Sequence, residues 1–192
     1  GGLLQAGMAL GPMARGAALL RAQWPWLLLG ALAVAIYPLA FYGSMRLAGV
    51  TVGTVVSIGS APLLSAVIEI ALDGARVTAR WSVGAILGLA GMALLSVAGG
   101  GGHGAASAAS AAPAVTTGVL LGLLAGLTYA FYSWAARRLM QRGIASRAAM
   151  GAIFGLGGLA LMPVLLATGA PFLASWNNAA VGLYMALVPM FL

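Results

Sequence analysis

Five uninterrupted apolar stretches of membrane-crossing length restrict what this chain can fold into. They cover residues 24–42, 50–72, 81–98, 116–136 and 148–168. Each comes near the ~20 apolar residues that a helix needs to cross a bilayer's hydrocarbon layer. Two shorter apolar stretches, 1–13 and 178–192, flank them, and both ends of the chain read as cuts through hydrophobic segments. The runs are continuous rather than alternating, so helices and not barrel strands are predicted. With 62% of residues hydrophobic and only 6% charged, the chain has too little polar side chain to cover a soluble fold. The predicted fold class is an all-α integral membrane bundle, with the lipid bilayer as its solvent.

The arrangement of charge supports the same class. All nine basic residues are arginines, the net charge is +7, and the arginines fall between the apolar runs. No basic–aromatic interleaving of the kind a nucleic-acid platform uses is present, so no nucleic-acid partner is expected. If successive stretches alternate in direction, Arg15, Arg21, Arg76, Arg80, Arg137, Arg138, Arg142 and Arg147 share one side. Only Arg46 falls on the other. Positive-inside asymmetry then predicts cytoplasmic Arg-rich loops in a multi-pass protein of the inner membrane. The chain has no cysteine, which removes disulfides and thiolate metal sites. Its one histidine, His103, has no second ligand nearby, so no metal or cofactor is expected.

His103 lies in residues 99–115, a Gly/Ala/Ser segment that reads as a flexible connector between 1–98 and 116–192. The two flanking parts show a faint internal repeat. Gly7, Ala9, Leu10, Pro12 and Pro38 recur at one constant offset as Gly158, Ala160, Leu161, Pro163 and Pro189, and Trp24 and Gly30 recur one place further on as Trp176 and Gly182. The loop after residue 13 and its counterpart after residue 168 fall on opposite sides of the membrane, so the repeat is inverted. An inverted repeat needs an odd number of spans per unit, and counting back from the connector gives five. Residues 1–98 then carry spans two (partial) to five, and 116–192 carry spans six to eight, the last partial. The intact protein is expected to have ten helices in two inverted five-helix halves, one further span upstream and about two and a half downstream.

Three segments resemble the EamA-type members of the drug/metabolite transporter superfamily. They are AFYGSMRLAGVTVGTVVSIGSAPLLSAVIEIAL (40–72), GARVTARWSVGAILGLAGMALL (74–95) and GVLLGLLAGLTYAFYSWAARRLMQRG (118–143). In that family a glutamate often follows the loop glycine. Here the position is Ala75, with Asp73 two places earlier, so no role of that glutamate is carried over. The resemblance implies export or exchange of small organic metabolites across the inner membrane by ten helices in two inverted halves.

The stretch 50–72 holds most of the candidate chemistry. Ser57, Ala61, Ser65 and Glu69 recur every four residues and so share one small, polar helix face. Pro62 removes a backbone hydrogen bond in mid-span. This face reads equally as a wall of the transport pathway or as a surface for close helix packing. Glu69 is the one acidic residue inside an apolar stretch. It is a candidate for proton coupling, and near the span end it can alternatively pair with Arg76 or Arg80. Tyr37 and Tyr129 are candidates for lining a central cavity and offering hydroxyls to substrate. Tyr132 and Trp134, close to arginines, read as interfacial belt residues, as do Trp24, Trp26, Trp81 and Trp176 at span ends. Glycines at Gly118, Gly122 and Gly126, at Gly84 and Gly88, and at Gly151 and Gly155 make GxxxG steps that predict close helix packing.

These residues favour a transporter with a small-molecule substrate, and with protons as a second partner if Glu69 couples. A membrane enzyme is poorly supplied, with one intramembrane glutamate and no intramembrane histidine. The alternative is a non-transporting scaffold or helper subunit, for which the polar face of 50–72 would be idle.

Overall fold

A computed structural model describes residues 1–76, 78–100, 108–169 and 175–191. Among these residues the chain is helical and contains no strand. The helices are α1 (Gly2–Met8), α2 (Leu10–Arg15), α3 (Ala17–Ala22), α4 (Trp24–Ala48), α5 (Val50–Asp73), α6 (Ala79–Gly100), α7 (Ala108–Gln141), α8 (Ser146–Thr168) and α9 (Trp176–Phe191). Four segments are long and apolar enough to cross a membrane: Trp24–Ala48, Val50–Asp73, Pro113–Gln141 and Ser146–Thr168. Each coincides with a predicted span, and α6 covers the fifth with 22 residues.

The loop expected after residue 13 is instead helical. Backbone bonds continue through the joints, as in Met13 N–H to the Ala9 carbonyl (2.8 Å) and Leu20 N–H to the Gly16 carbonyl (2.9 Å). The slips fall at Ala9, Gly16 and Gln23, whose φ and ψ (−97°, 3° at Ala9) lie between helix and turn. Burial of Leu20 in a core with Leu139 and Ile144 explains why this stretch winds rather than loops. Within residues 99–115, expected as a flexible connector, α7 begins at Ala108 and runs through Pro113. His103 lies outside the described residues.

Large aliphatic side chains point outward: Leu87, Leu94 and Leu166 are 68%, 72% and 78% exposed. The buried positions are mostly alanine, glycine and serine. A soluble domain has the reverse arrangement. Small residues between helices and large ones outside are the pattern of a bundle solvated by lipid.

The chain forms two compact units, one of residues 1–35 with 136–192, the other of 36–135. In the first, α1 runs antiparallel along α8, with Ala9 against Gly151, Ala6 against Gly155 and Gly2 beside Gly158. The α7–α8 turn closes on Gly143 (φ 85°), with Gly143 N–H bonded to the Met140 carbonyl (3.1 Å) and Ile144 N–H to the Leu139 carbonyl (3.3 Å). This left-handed cap also brings Ile144 onto Leu139, both in the core. Ile153 is fully buried there and packs on Gly30. Ile153→Val, which removes one methylene, is expected to lower stability by about 1 kcal/mol. In thermal unfolding of detergent-purified protein that is a drop of roughly 2–4 °C. An unchanged midpoint would mean that the core relaxes around the loss.

In the second unit, α4 and α5 form a hairpin about Gly49 (φ 85°), and α7 packs against both. Gly118 meets Ala48, Gly122 meets Ser44, Val56 and Ser57, and Gly126 meets Ser57, Ser60 and Ala61. These pairings make α7 antiparallel to α4 and parallel to α5. The three glycines therefore pack as their spacing predicted, and Gly151 and Gly155 do so in the first unit. Gly84 and Gly88 do not: nothing among the described residues stands within 4 Å of where their side chains would begin.

Candidate functional site

The antiparallel register of α4 and α7 builds an aromatic cluster. It places Ser44 beside Gly122, and seven residues back on α4 and seven on along α7 it places Tyr37 beside Tyr129. Their ring centroids are 6.0 Å apart and tilted by 57°. Tyr132, one turn along α7, meets Tyr129 edge-on at 5.0 Å, and Phe41, one turn along α4, stacks on Tyr37 at 5.6 Å. Both helices thus repeat their aromatics at the spacing that keeps one face. Tyr37 and Tyr132 are half-buried and Tyr129 is 41% exposed, so part of the cluster remains accessible. Such a cluster can hold flat or cationic organic groups by ring contact and orient them through phenol hydrogen bonds.

Tyr132 was expected in an interfacial belt, yet it belongs to this cluster. Trp134 departs further from that expectation: it is buried, and its indole Nε1–H donates to Asp73 Oδ2 at 3.1 Å. An indole can be buried when its N–H finds an acceptor, and the α5 terminus supplies one. Trp24 and Trp176 are well exposed, at 59% and 89%, as span-end residues. Trp26 lies under two guanidinium groups, with Arg142 at 5.2 Å and Arg138 at 6.0 Å from its ring. Arg142 also donates to the Gln23 side chain.

The face of α5 divides along its length. Ser57 and Ala61 are buried against the α7 glycines, which is close packing. The hydroxyls of Ser57 and of Ser44, both fully buried, have no hydrogen-bond partner among the described residues. Ser44 could not be singled out from sequence, because only the α4–α7 register brings it to the seam. Ser65 is half-buried. The parallel register of α5 and α7 sets it near the level of Tyr129, with Glu69 about one turn, or about 6 Å, beyond. Glu69 lines a hollow with Arg76, Thr78 and Trp81, and Pro62 lines an adjoining groove with α6 that also reaches Trp81. Of the six candidates, the structure brings Tyr37 and Tyr129 into contact and places Ser57, Pro62 and Glu69 in three different settings. Among the described residues no group of histidine, aspartate and glutamate could hold a metal ion.

A curated relative is similar over most of the chain. It is an uncharacterized transporter, YwfM, of Bacillus subtilis (strain 168), 28% identical over 165 residues. The aligned region is 86% of this chain and 52% of the relative, so the chain spans about half the length of the protein it matches. No protein-family model and no solved structure matches. With the outward aliphatic surface and the four spanning segments, this similarity identifies a multi-pass membrane protein.

Proposed function

We propose that the chain is part of a transporter of the EamA type that exports or exchanges small organic metabolites by alternating access, with the Tyr37–Tyr129 cluster in its substrate pathway. The observation that carries this is the meeting of those two tyrosines: two polar aromatics, on helices remote in sequence, face each other at 6.0 Å inside a lipid-solvated bundle. A bundle that served only as a scaffold gains little from half-buried phenols where alanine or leucine would pack. The similarity to a protein named as a transporter points the same way.

On this reading the wider architecture is ten helices in two inverted halves. The stretches paired by the internal repeat, 7–12 and 158–163, fall in or beside α1 and on α8, and α1 packs antiparallel on α8 through small residues. Elements related by a two-fold axis in the membrane plane meet in this way. The arginine-rich ends face the cytoplasm on this reading, and Glu69 is the group that exchanges a proton during the cycle.

Efflux of small organic metabolites from loaded cells, with and without the intact protein, tests the proposal. Tyr129→Ala is expected to lower the rate about tenfold, since one ring contact and one hydrogen bond together amount to about 1.4 kcal/mol. Tyr129→Phe keeps the ring and is expected to lose only the hydroxyl's share. Efflux at the wild-type rate in Tyr129→Ala and Tyr37→Ala would remove the cluster from the pathway.

A further inference from the structure

Two adjoining hollows lie between α5 and α6, and they share Trp81. The larger, about 310 Å³, is apolar: Gly59, Pro62 and Leu63 of α5 face Gly84 and Gly88 of α6. The smaller, about 130 Å³, lies at the helix ends, where Glu69, Arg76 and Thr78 line it. The loop is shaped for this by Gly74 (φ 64°), which ends α5 and lets Ala75 N–H bond back to the Glu69 carbonyl at 3.2 Å. The pair is therefore one trough, polar at its end and apolar along its length, with an indole at the junction. That is the outline of an amphiphile at a membrane interface.

Size and charge select the occupant. From Trp81 to Leu89 the trough follows about 12 Å of helix, with a volume of about 310 Å³. The trough has room for a hydrocarbon chain laid along it. At its end a carboxylate and a guanidinium stand in one hollow, complementary to a head group bearing both an ammonium and a phosphate. A carboxylate accepts several donors at once, so Glu69 can take an ammonium beside any other partner.

We propose that this trough seats one zwitterionic aminophospholipid, with its phosphate on Arg76 and Thr78, its ammonium on Glu69, and an acyl chain along Pro62, Gly84 and Gly88. The inference shares Glu69 with the transport reading, but its test reads bound lipid and needs no transport, so either can fail without the other. Delipidated intact protein is titrated with phosphatidylethanolamine or phosphatidylglycerol of matched chains, and bound lipid is counted by native mass spectrometry. One phosphatidylethanolamine is expected to be retained, about tenfold more tightly than phosphatidylglycerol. Arg76→Ala is expected to weaken it about tenfold. Gly88→Leu, which fills the trough where no described atom stands within 4 Å, is expected to abolish retention with an unchanged thermal midpoint. Equal retention of the two lipids, no retained lipid at all, or wild-type retention by Gly88→Leu and Arg76→Ala would each overturn the proposal.

Discussion

Valine in place of Gly53 is expected to destabilise the folded protein more than any other single change considered, whereas Gly84→Val leaves it intact. A side-chain carbon at Gly53 would lie 2.7 Å from Met45 N, 2.8 Å from Met45 Cα and 2.9 Å from the Ser44 carbonyl carbon. All three obstructing atoms are backbone, so no rotamer change relieves the clash, and α4 and α5 must move apart. Overpacking of this kind costs about 3 kcal/mol. The displacement also opens the seam that Gly122 makes with Ser44, Val56 and Ser57, so the loss spreads to α7. At about 2–4 °C per kcal/mol, the midpoint is expected to fall by roughly 6–12 °C. Heating detergent-purified protein and following the monodisperse fraction by size-exclusion chromatography measures this. Equal midpoints for the Gly53→Val and Gly84→Val chains would show that the α4–α5 contact does not hold the unit together.

On the proposed transport reading, the largest functional effect is expected from Glu69→Gln: proton-driven transport is abolished while membrane insertion and thermal stability are kept. Glutamine has the same shape and can hydrogen-bond, but it cannot carry a proton off and on. Glu69 lies along α5 about one turn beyond the level of Tyr129, in the hollow between α5 and α6, so on the proposed reading its proton acts through α5 rather than by touching the cluster. The variant is compared with wild type in vesicles bearing an imposed pH gradient and again in counterflow without one. Loss of the gradient-driven flux with counterflow retained places Glu69 in coupling. Full flux with unchanged pH dependence removes it from the mechanism, and loss of both fluxes makes it a substrate contact.

How much of this was legible beforehand differs by element. The boundaries of α5 and α8 match the apolar runs within two residues, because continuous apolarity at the length of a bilayer needs no tertiary information. The packing of Gly118, Gly122 and Gly126 was also legible, since three glycines one turn apart make one smooth stripe. The same rule failed at Gly84 and Gly88, which border an open trough. Spacing alone does not distinguish a stripe that meets a helix from one that meets lipid. Trp134 was misplaced for a related reason: its acceptor, Asp73, is 61 residues away in sequence.

The sequence by itself determined that the chain is helical, membrane-embedded and crossed several times, because water and lipid differ sharply in what they solvate. Tertiary structure alone decided which faces meet. It set the α4–α7 register that brings Tyr37 to Tyr129, buried the hydroxyls of Ser44 and Ser57, and placed Glu69 with Arg76 at the head of an apolar trough. In a soluble protein, hydrophobicity marks the inward face of each helix. Lipid tails are as apolar as a helix interface, so that mark is missing here, and only the fit of small residues between helices selects the faces that pack.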